Sequence, residues 1–574
     1  MPRAPVRLLP HALRAGLSIG GVWIRQSGPR KNTKKSSRVG GRVYFGRPHQ
    51  LIFVMLGRRE FRFNDKTDVV SDHSSKHGYE RLTMLRILGS NRRACDAFSR
   101  RDMIQAGGAS LLGLGLADLL KAGEINEPQL ARGFGRAKNV ILLFLYGGVS
   151  QLDTLDPKPD APEDIRGPFS PISTALSGVQ ISENLPKLAK IMDRVSVVRS
   201  MSHPYPIHGV AFAATGVKHT DIPMELNRED RRHWPFIGSV LDYLHEVDHP
   251  DEPQPAIPTT MHLPWVQSSR SGPHKRAGMF GGFLGPRYNP VVAEFVGEAT
   301  NPKTYRPKDP YGGIKPGCRF EIQGTGLTNG LTIDRVATRY SLLNQLDASR
   351  RTLDNSKIVS SLDRFRQLAM SVIASPRLRN ALDVSKEPAP LRERYGHHLF
   401  GQSALLARRM VESGTRLVSV FWDEFAQSCG TWDTHEKQTS RLRDELCPGF
   451  DQAFTALFED LDDRGMLDET LVLCLTEHGR TPKAERRGNS LDGRGHWSRA
   501  YSCMFAGAGI REGNVIGKTD SEAAYVVDSP ASPNDVLHTI YHLLGVNSHR
   551  TIPDRLGRPL PVVADGEIVS DLLA

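Results

Sequence analysis

Thr470-Leu-Val-Leu-Cys-Leu-Thr-Glu-His-Gly-Arg480 is the stretch of sequence that decides the fold. Its apolar first half has the length and composition of a buried strand, and its polar second half begins where that strand ends. In open α/β sheets, ligands bind at the carboxyl ends of the strands. An acidic residue beside a histidine at such a position, here Glu477 and His478, is suited to binding a metal ion.

The same arrangement follows three other apolar runs, at 139–146, 195–199 and 416–421. The loops after them contain Asp153 and Asp156, His203 and His208, and Asp433 and His435, and His496 follows in Gly493-Arg-Gly-His-Trp497. Because parallel strands end at one rim of the sheet, we expect these side chains to converge there. Carboxylate and imidazole ligands predict one or two divalent metal ions, with Zn²⁺, Mn²⁺, Ca²⁺ and Mg²⁺ as candidates.

Strands alternate with helical segments along the chain, which predicts an α/β sandwich around a largely parallel sheet. Helix is expected over 185–193, over most of 340–415 and over 439–464. Prolines and glycines are crowded into residues 247–330. That composition predicts a loop-rich insertion over the active face, with little regular structure.

The net charge of +12 is located at the N-terminal end of the chain. Residues 1–83 contain 17 Lys or Arg and 5 Asp or Glu, whereas the remaining 491 residues contain 58 of each sign. The main body therefore gives no support for nucleic-acid binding, and we expect no nucleic-acid partner. We interpret residues 1–83 either as a basic, disordered or targeting extension or as sequence upstream of a true start at Met84.

Residues 84–122 resemble a twin-arginine export signal. Ser99-Arg-Arg-Asp-Met-Ile104 supplies the paired arginines, and a short, moderately apolar run follows, interrupted by Asp118. Its length and charge disfavour a transmembrane anchor, and a buried helix is the other alternative. We therefore expect a periplasmic or cell-envelope protein, with no stable membrane-spanning segment after removal of the signal.

Some of the polar residues also have purely structural interpretations. Asp433 and His435 could cap the helix that follows them. His538 and His542 have the i,i+4 spacing of a chelating pair, although histidines that are hydrogen-bonded within the fold are the preferred interpretation. Asp156 is expected to serve turn chemistry.

The six cysteines contain no CxxC pair, which gives no sign of a zinc or redox motif. Cys474 and Cys503 lie in apolar runs and are predicted to be core thiols. A disulfide between Cys429 and Cys447 stays open for an oxidising compartment.

Together these motifs resemble the DUF1501 family, a bacterial group related to sulfatases and placed in the alkaline phosphatase-like superfamily. The resemblance runs from about residue 99 to 560 and is carried by Ser99-Arg-Arg101, Gly147-Gly-Val-Ser-Gln-Leu-Asp-Thr-Leu-Asp-Pro-Lys158, Trp432-Asp-Thr-His435, Thr476-Glu-His-Gly-Arg-Thr-Pro482, Gly493-Arg-Gly-His-Trp497 and the glycine-rich segment 507–520. It implies an alkaline phosphatase-like domain over 138–562, built as a three-layer sandwich.

The superfamily pattern further implies two metal positions at the sheet rim. Asp433, His435 and His496 would hold one ion. Glu477 and His478 would help to hold the other, in place of the usual aspartate and histidine. The longer side chain of glutamate could move that second ion.

The chain departs from the superfamily pattern after the first strand. Superfamily members usually have a metal-binding aspartate there, where this chain has Tyr146 and Gly147. Asp153, in the following turn, is the residue expected to reach the metal instead.

The superfamily nucleophile is a serine, threonine or modified cysteine at the start of a helix that ends in Thr-Gly, which resembles residues 207–216 here. No hydroxyl or thiol occupies that position. His208 could bind metal or act as the nucleophile, and Ser202 or Ser150 could substitute. A metal-activated water could also attack directly.

These features imply an exported, metal-dependent hydrolase of sulfate or phosphate esters, with a sulfated polysaccharide among the candidate substrates. Arg480 and Arg494 are expected to contact the anionic ester group through bidentate hydrogen bonds. Because the expected nucleophile is missing, the alternative is a catalytically inactive hydrolase-fold protein that binds ligands in the cell envelope.

Overall fold

The computed structural model describes residues 132–574 except 206–207, 218–226, 229, 253–254, 272–274, 301–306, 324–369, 371–372, 374, 427–429 and 487–490. The predicted basic extension at 1–83 and the twin-arginine-type segment at 84–122 lie outside the described residues. Within the part of the chain that is described, every helix is too short or too polar to cross a bilayer.

A nine-stranded sheet forms the centre of the described residues. Its strands are β1 (Asn139–Leu145), β2 (Ser196–Met201), β3 (Thr260–Leu263), β4 (Val291–Val296), β5 (Arg319–Ile322), β6 (Leu417–Trp422), β7 (Thr470–Leu475), β8 (Tyr501–Gly507) and β9 (Asn514–Ile516). They lie in the order β9-β2-β8-β7-β1-β6-β3-β4-β5. The run β7-β1-β6-β3-β4 is parallel throughout, whereas β8 is antiparallel to both of its neighbours and β5 is antiparallel to β4. The predicted largely parallel sheet is therefore confirmed.

The α-helices in the described part of the chain are α1 (Glu163–Arg166), α2 (Val210–Thr215), α3 (Ile237–Asp248), α4 (Pro376–Leu382), α5 (Ala389–Tyr395), α6 (Leu399–Glu412), α7 (Gln438–Arg441), α8 (Cys447–Asp463) and α9 (Pro533–Leu543). The helix predicted at 185–193 is a 3₁₀ helix at Leu188–Arg194. A π turn at Leu442–Leu446 joins α7 to α8, so the long helix predicted over 439–464 contains one irregular turn. Pro448 has no amide hydrogen for the regular bond to residue 444, which accounts for an irregularity at this place.

Alternate residues of β1 pack into separate cores on the two faces of the sheet. Ile141 and Leu143 belong to the core that contains residues of α6 and α8. Leu142 and Phe144 belong to the core that contains residues of α3 and α9. A strand covered on both faces is apolar along nearly its whole length, as β1 is from Val140 to Leu145. The three-layer α/β sandwich predicted from the sequence is thus present.

The segment at 247–330, predicted as a loop-rich insertion, contains three short strands. It supplies β3, β4 and β5, which extend the sheet beyond β6. These strands are short, and β3 contains His262, whose Nε2 lies 2.7 Å from the carbonyl oxygen of Met279. His262 interrupts the apolar pattern of a buried strand, but its hydrogen bond to the distant Met279 allows it to lie inside β3.

A buried ion-pair network joins α6 to α8. The guanidinium of Arg408, which is fully buried, lies 2.7 Å from Glu387, 2.6 Å from Glu412 and 2.8 Å from Asp460. We expect Arg408→Leu to lower the free energy of unfolding by about 3–5 kcal/mol, because buried carboxylates would lose a cationic partner. Urea denaturation followed by circular dichroism measures this change.

Arg443→Leu provides the control for that measurement. Arg443 pairs with Asp444 at 2.8 Å on the surface, where more than half of each side chain is exposed. Its loss is expected to change the free energy of unfolding by less than about 1 kcal/mol. Equal effects of the two substitutions would show that the buried network is not an important contribution to stability.

Candidate metal centre

Hydrogen bonds fix the loop after β7 to the end of the neighbouring strand β1. The hydroxyl of Thr476 donates to the carbonyl oxygen of Leu145 at 2.9 Å. The amide of Gly147 donates to Oε1 of Glu477 at 2.8 Å. Glu477 and His478 are therefore held at the centre of the sheet rim, where the sequence predicted them.

Two further segments reach the same rim by different contacts. The amide of Trp432 donates to the carbonyl oxygen of Tyr146 at 3.1 Å, which docks the segment before Asp433 onto the end of β1. A two-stranded ribbon pairs Arg480 with His496 in antiparallel register. Loops that are distant in sequence thus present their polar side chains to one another.

The first group of candidate metal ligands consists of Asp433, His435 and His496. Nε2 of His435 lies 3.0 Å from Nε2 of His496 and 3.0 Å from Oδ1 of Asp433. Nε2 of His496 lies 3.1 Å from the same carboxylate oxygen. Metal bonds to such ligands are about 2.0–2.2 Å long, so three atoms at these separations can share one coordination shell.

The second group consists of His208, His478 and His496, whose ligand atoms lie within 4.8 Å of one another. Nδ1 of His478 lies 2.8 Å from the carbonyl oxygen of Gly479. Because a carbonyl can only accept, Nδ1 carries the hydrogen and the lone pair of His478 is on Nε2. Nε2 is buried and has no hydrogen-bond partner among the described residues. A bound cation would satisfy that nitrogen, so this donor set fits a metal ion.

His208 lies between the two carboxylates of the rim. Its Nδ1 is 3.0 Å from Oε1 of Glu477 and its Nε2 is 3.2 Å from Oδ2 of Asp433. Burial opposes the charged imidazolium, but the two carboxylates outweigh it and raise the pKa of His208 to about 9. The negative charge that holds this proton would equally attract a divalent cation.

The neighbouring groups are in the protonation states that metal ligands need. Burial favours the neutral acid of Asp433, but the surrounding histidines hold its pKa well below the usual range. Burial and nearby positive charge lower the pKa of both His478 and His496. An ionised carboxylate and neutral imidazoles are the forms that coordinate metals.

Arg480 contacts a candidate ligand, although the sequence predicted contact with the substrate. It is fully buried, and its Nη1 donates to Oδ1 of Asp433 at 2.6 Å and to the carbonyl oxygen of Gly147 at 2.9 Å. Charge-assisted hydrogen bonds of this kind fix the orientation of the acceptor. Arg480 therefore positions Asp433.

Arg494 is also committed to the protein itself. Its Nε donates to Asp153 at 2.9 Å, its Nη2 donates to the carbonyl oxygen of Ile165 at 2.8 Å, and its Nη1 donates to those of Thr481 and Pro482. A buried guanidinium with these partners ties loops together. These contacts argue against the substrate-binding role predicted for Arg494.

Asp153 lies outside both candidate ligand groups, although the sequence predicted it as a metal ligand. Its Oδ2 accepts hydrogen bonds from Ser150 at 2.5 Å, from Gln438 at 2.7 Å and from Arg494 at 2.9 Å. The carboxylate of Asp153 is therefore part of a hydrogen-bond network and not of a ligand group. Its bond with Ser150 also engages the hydroxyl of that residue, which is one of the alternative nucleophiles.

Two of the structural interpretations concern helices α7 and α9. α7 begins after Lys437, so neither Asp433 nor His435 is its N-cap. His538 contacts Ser548 Oγ at 2.5 Å, and His542 contacts the carbonyl oxygen of Arg132 at 2.8 Å, as the preferred interpretation of these helix histidines predicted.

Two other predicted rim residues also have structural partners. Nε2 of His203 lies 2.7 Å from the carbonyl oxygen of Glu477, and this contact holds the backbone of the loop after β7. Asp156 pairs with Lys158 at 3.0 Å.

Of the two cysteines considered for a disulfide, Cys447 is a buried free thiol, and Cys429 lies outside the described residues.

Three further buried polar residues lie at this rim that the sequence did not identify as site residues. Asp423 and Glu424 directly follow β6, and Tyr146 directly follows β1. Burial raises the pKa of Asp423 to about 6 and that of Tyr146 well above its ordinary value. An acidic pair at a strand end is the signal that identified Glu477, and it could have identified Asp423 and Glu424 as well.

Comparison with known sequences identifies one family. The family described as "Protein of unknown function (DUF1501)" matches residues 137–573. None of the curated proteins matches the chain.

Several solved structures of sulfatases and related hydrolases resemble the chain. A protein in the alkaline phosphatase superfamily from Vibrio parahaemolyticus is 12% identical with a TM-score of 0.34, covering 75% of this chain and 71% of that chain. The PsFucS1 sulfatase from Pseudoalteromonas sp. is 13% identical with a TM-score of 0.33, covering 77% and 72%. A phosphonate monoester hydrolase from Silicibacter pomeroyi is 12% identical with a TM-score of 0.31, covering 76% of each chain. Each TM-score is below 0.5, so these similarities give no information about the activity of this chain.

Proposed function

Because the chain belongs to the DUF1501 family, whose description gives no activity, its chemistry must be inferred from the rim, and we propose that it is an exported, divalent-metal-dependent hydrolase of sulfate or phosphate esters. The observation that carries the proposal is the convergence of Asp433, His435 and His496 with His208 and His478. A structural role alone does not account for the lone pair of His478, which has no partner among the described residues.

The chemistry of the cluster favours hydrolysis of an anionic ester. A divalent ion held there would supply Lewis-acid activation and positive charge for the ester oxygens. The chain's own residues would hold and orient the reacting groups: Arg480 fixes Asp433 at 2.6 Å, and Gly147 fixes Glu477 at 2.8 Å. His208, held between the two carboxylates, would release its proton when it binds the ion.

The proposal extends to export and to substrate class. The paired arginines at 100–101 support export by a twin-arginine-type route to the periplasm or cell envelope. Sulfated polysaccharides and small phosphate or sulfate esters are the substrate classes to be tested.

A binding protein without catalytic activity is the second candidate. It is favoured by the absence of a hydroxyl or thiol at His208, where the resemblance implies a nucleophile, and by the bond that engages Ser150 with Asp153. Such a protein would bind oxyanions or glycans without turnover.

The decisive experiment measures metal content and turnover on the same protein sample. We expect purified protein to contain about one or two divalent ions per chain by mass spectrometry of the metals and to hydrolyse at least one aryl sulfate, phosphate or phosphonate. His478→Ala should weaken metal binding at least about tenfold, because it removes a nitrogen that has no hydrogen-bond partner among the described residues. Glu477→Gln should lower turnover as well, since it removes one of the two carboxylate charges beside His208.

His538→Gln is the matched control, because His538 is a buried histidine with partners inside the fold. It should leave metal content and turnover unchanged. Metal-free wild-type protein, or a metal content insensitive to His478→Ala, would contradict the proposed centre. Stoichiometric metal and ligand binding without turnover would favour the binding protein.

A further inference from the structure

Tyr146 lies at the centre of the sheet rim, directly after β1 and between the strands that lead to Asp423 and Glu477. Its side chain is 1% exposed. The centre of its ring lies 5.1 Å from that of His208, which belongs to the second candidate ligand group. The phenol is therefore a direct neighbour of the candidate metal centre.

The hydroxyl of Tyr146 is buried and has no hydrogen-bond partner among the described residues. Other buried tyrosines of the fold are bonded: the hydroxyl of Tyr311 donates to the carbonyl oxygen of Phe421 at 2.8 Å, and that of Tyr395 to Asp460 at 2.9 Å. A buried donor without an acceptor destabilises the folded protein. Phenylalanine would fill the same apolar space without that cost, so the hydroxyl is suited to an acceptor from outside the chain.

The surroundings indicate the chemical nature of that acceptor. A phenol is a donor at neutral pH and is best matched by an oxygen that bears negative charge. The guanidinium carbon of Arg276, a buried residue, lies 5.6 Å from the centre of the Tyr146 ring and adds positive charge at this place. An oxyanion held beside the Tyr146 ring would therefore lie near this guanidinium.

We infer that Tyr146 donates a hydrogen bond to a non-bridging oxygen of a tetrahedral oxyanion bound at the rim, and that Arg276 stabilises the negative charge of the same group. This inference rests on the proposed function, which supplies the metal and the ester. It adds a binding residue from outside the ligand groups, at the strand end where the resemblance leads one to expect a metal-binding aspartate.

The test compares Tyr146→Phe with the wild type, both as full-length protein loaded with the same metal. Isothermal titration calorimetry measures the Kd for inorganic phosphate and for sulfate, and thermal unfolding and metal content are recorded for each sample. We expect Tyr146→Phe to raise the Kd of the better oxyanion at least about tenfold, the usual effect of losing a hydrogen bond to a charged group. Metal content and the unfolding temperature should be retained, because the hydroxyl bonds to nothing inside the described fold.

Tyr395→Phe is the matched control. It removes the bonded hydroxyl of another buried tyrosine, so it should lower the unfolding temperature and leave the oxyanion Kd unchanged. A Kd within about twofold of wild type in metal-loaded Tyr146→Phe, well below the tenfold effect of a lost charged hydrogen bond, would overturn the role of Tyr146 and leave the proposed hydrolase intact. If metal-loaded wild-type protein binds neither phosphate nor sulfate, both proposals are overturned.

Discussion

Asp433→Asn is expected to remove the bound metal and, with it, turnover. Asp433 supplies the only carboxylate of the first candidate ligand group, and its Oδ1 lies within 3.1 Å of both histidine nitrogens. Asparagine keeps the shape but loses the charge that attracts the cation. We expect metal affinity to fall by more than about 100-fold, the upper end of the range for residues that merely orient a ligand. Titration with Zn²⁺ or Mn²⁺ against a competing chelator measures the affinity.

The same substitution has a second consequence, because Asp433 is also the partner of Arg480. Both side chains are buried, and removing one charge of such a pair costs about 3–5 kcal/mol of folding free energy. His435→Gln separates the two effects, since it removes a ligand but leaves the ion pair between Asp433 and Arg480 in place. We expect both variants to lose metal and only Asp433→Asn to lose this much stability. Full metal occupancy in both variants would place the metal site elsewhere.

Gly147→Ala is expected to cause a large loss of stability, although it adds only a single methyl group. Gly147 has a φ of +116°, and a Cβ there would lie 2.2 Å from the backbone nitrogen of Asp433. Both the backbone strain and the overlap act together, so we expect the free energy of unfolding to fall by about 3–5 kcal/mol. Metal content should fall too, because relieving the overlap moves Asp433. Urea denaturation and metal analysis test both parts.

Gly414→Ala provides a control with nearly the same backbone geometry. Gly414 has a φ of +106°, and a Cβ there would meet nothing within 4 Å. Only the strain should remain, which costs about 1–3 kcal/mol, with metal content unchanged. Equal losses in the two variants would show that the close approach between β1 and the Asp433 loop is not tight.

Much of the fold could be predicted from local patterns. The apolar runs of β1 and β7 are continuous because both faces of these strands are covered, and that pattern is visible in the sequence. β3 was not predicted, because it is four residues long and contains His262, whose polar ring is satisfied by the distant Met279. A local pattern does not report such a contact.

The candidate ligands could likewise be predicted only in part from local sequence. Residue type and position after a strand were sufficient to select Asp433, His435, Glu477 and His478, which the structure brings together with His496 from a glycine-flanked loop. Asp153 was selected in the same way and Arg494 as a contact for the ester, but these two residues bond to each other instead. Residue type does not distinguish a carboxylate that belongs to a candidate ligand group, such as Asp433, from one that lies outside both groups, such as Asp153.

The sequence by itself determined which strands end at the rim and which acidic residues and histidines follow them. Both are visible locally, because a strand buried on two faces is a continuous apolar run and its end is marked by polar residues. Tertiary structure alone decided which atoms meet. Pairing of Arg480 with His496 and docking of Trp432 on Tyr146 place ligand atoms about 3 Å apart, within one coordination shell. Contacts across more than 280 residues of chain, such as that docking, depend on the packing of the whole sheet, and the same packing leaves the hydroxyl of Tyr146 beside the centre without a partner in the described fold.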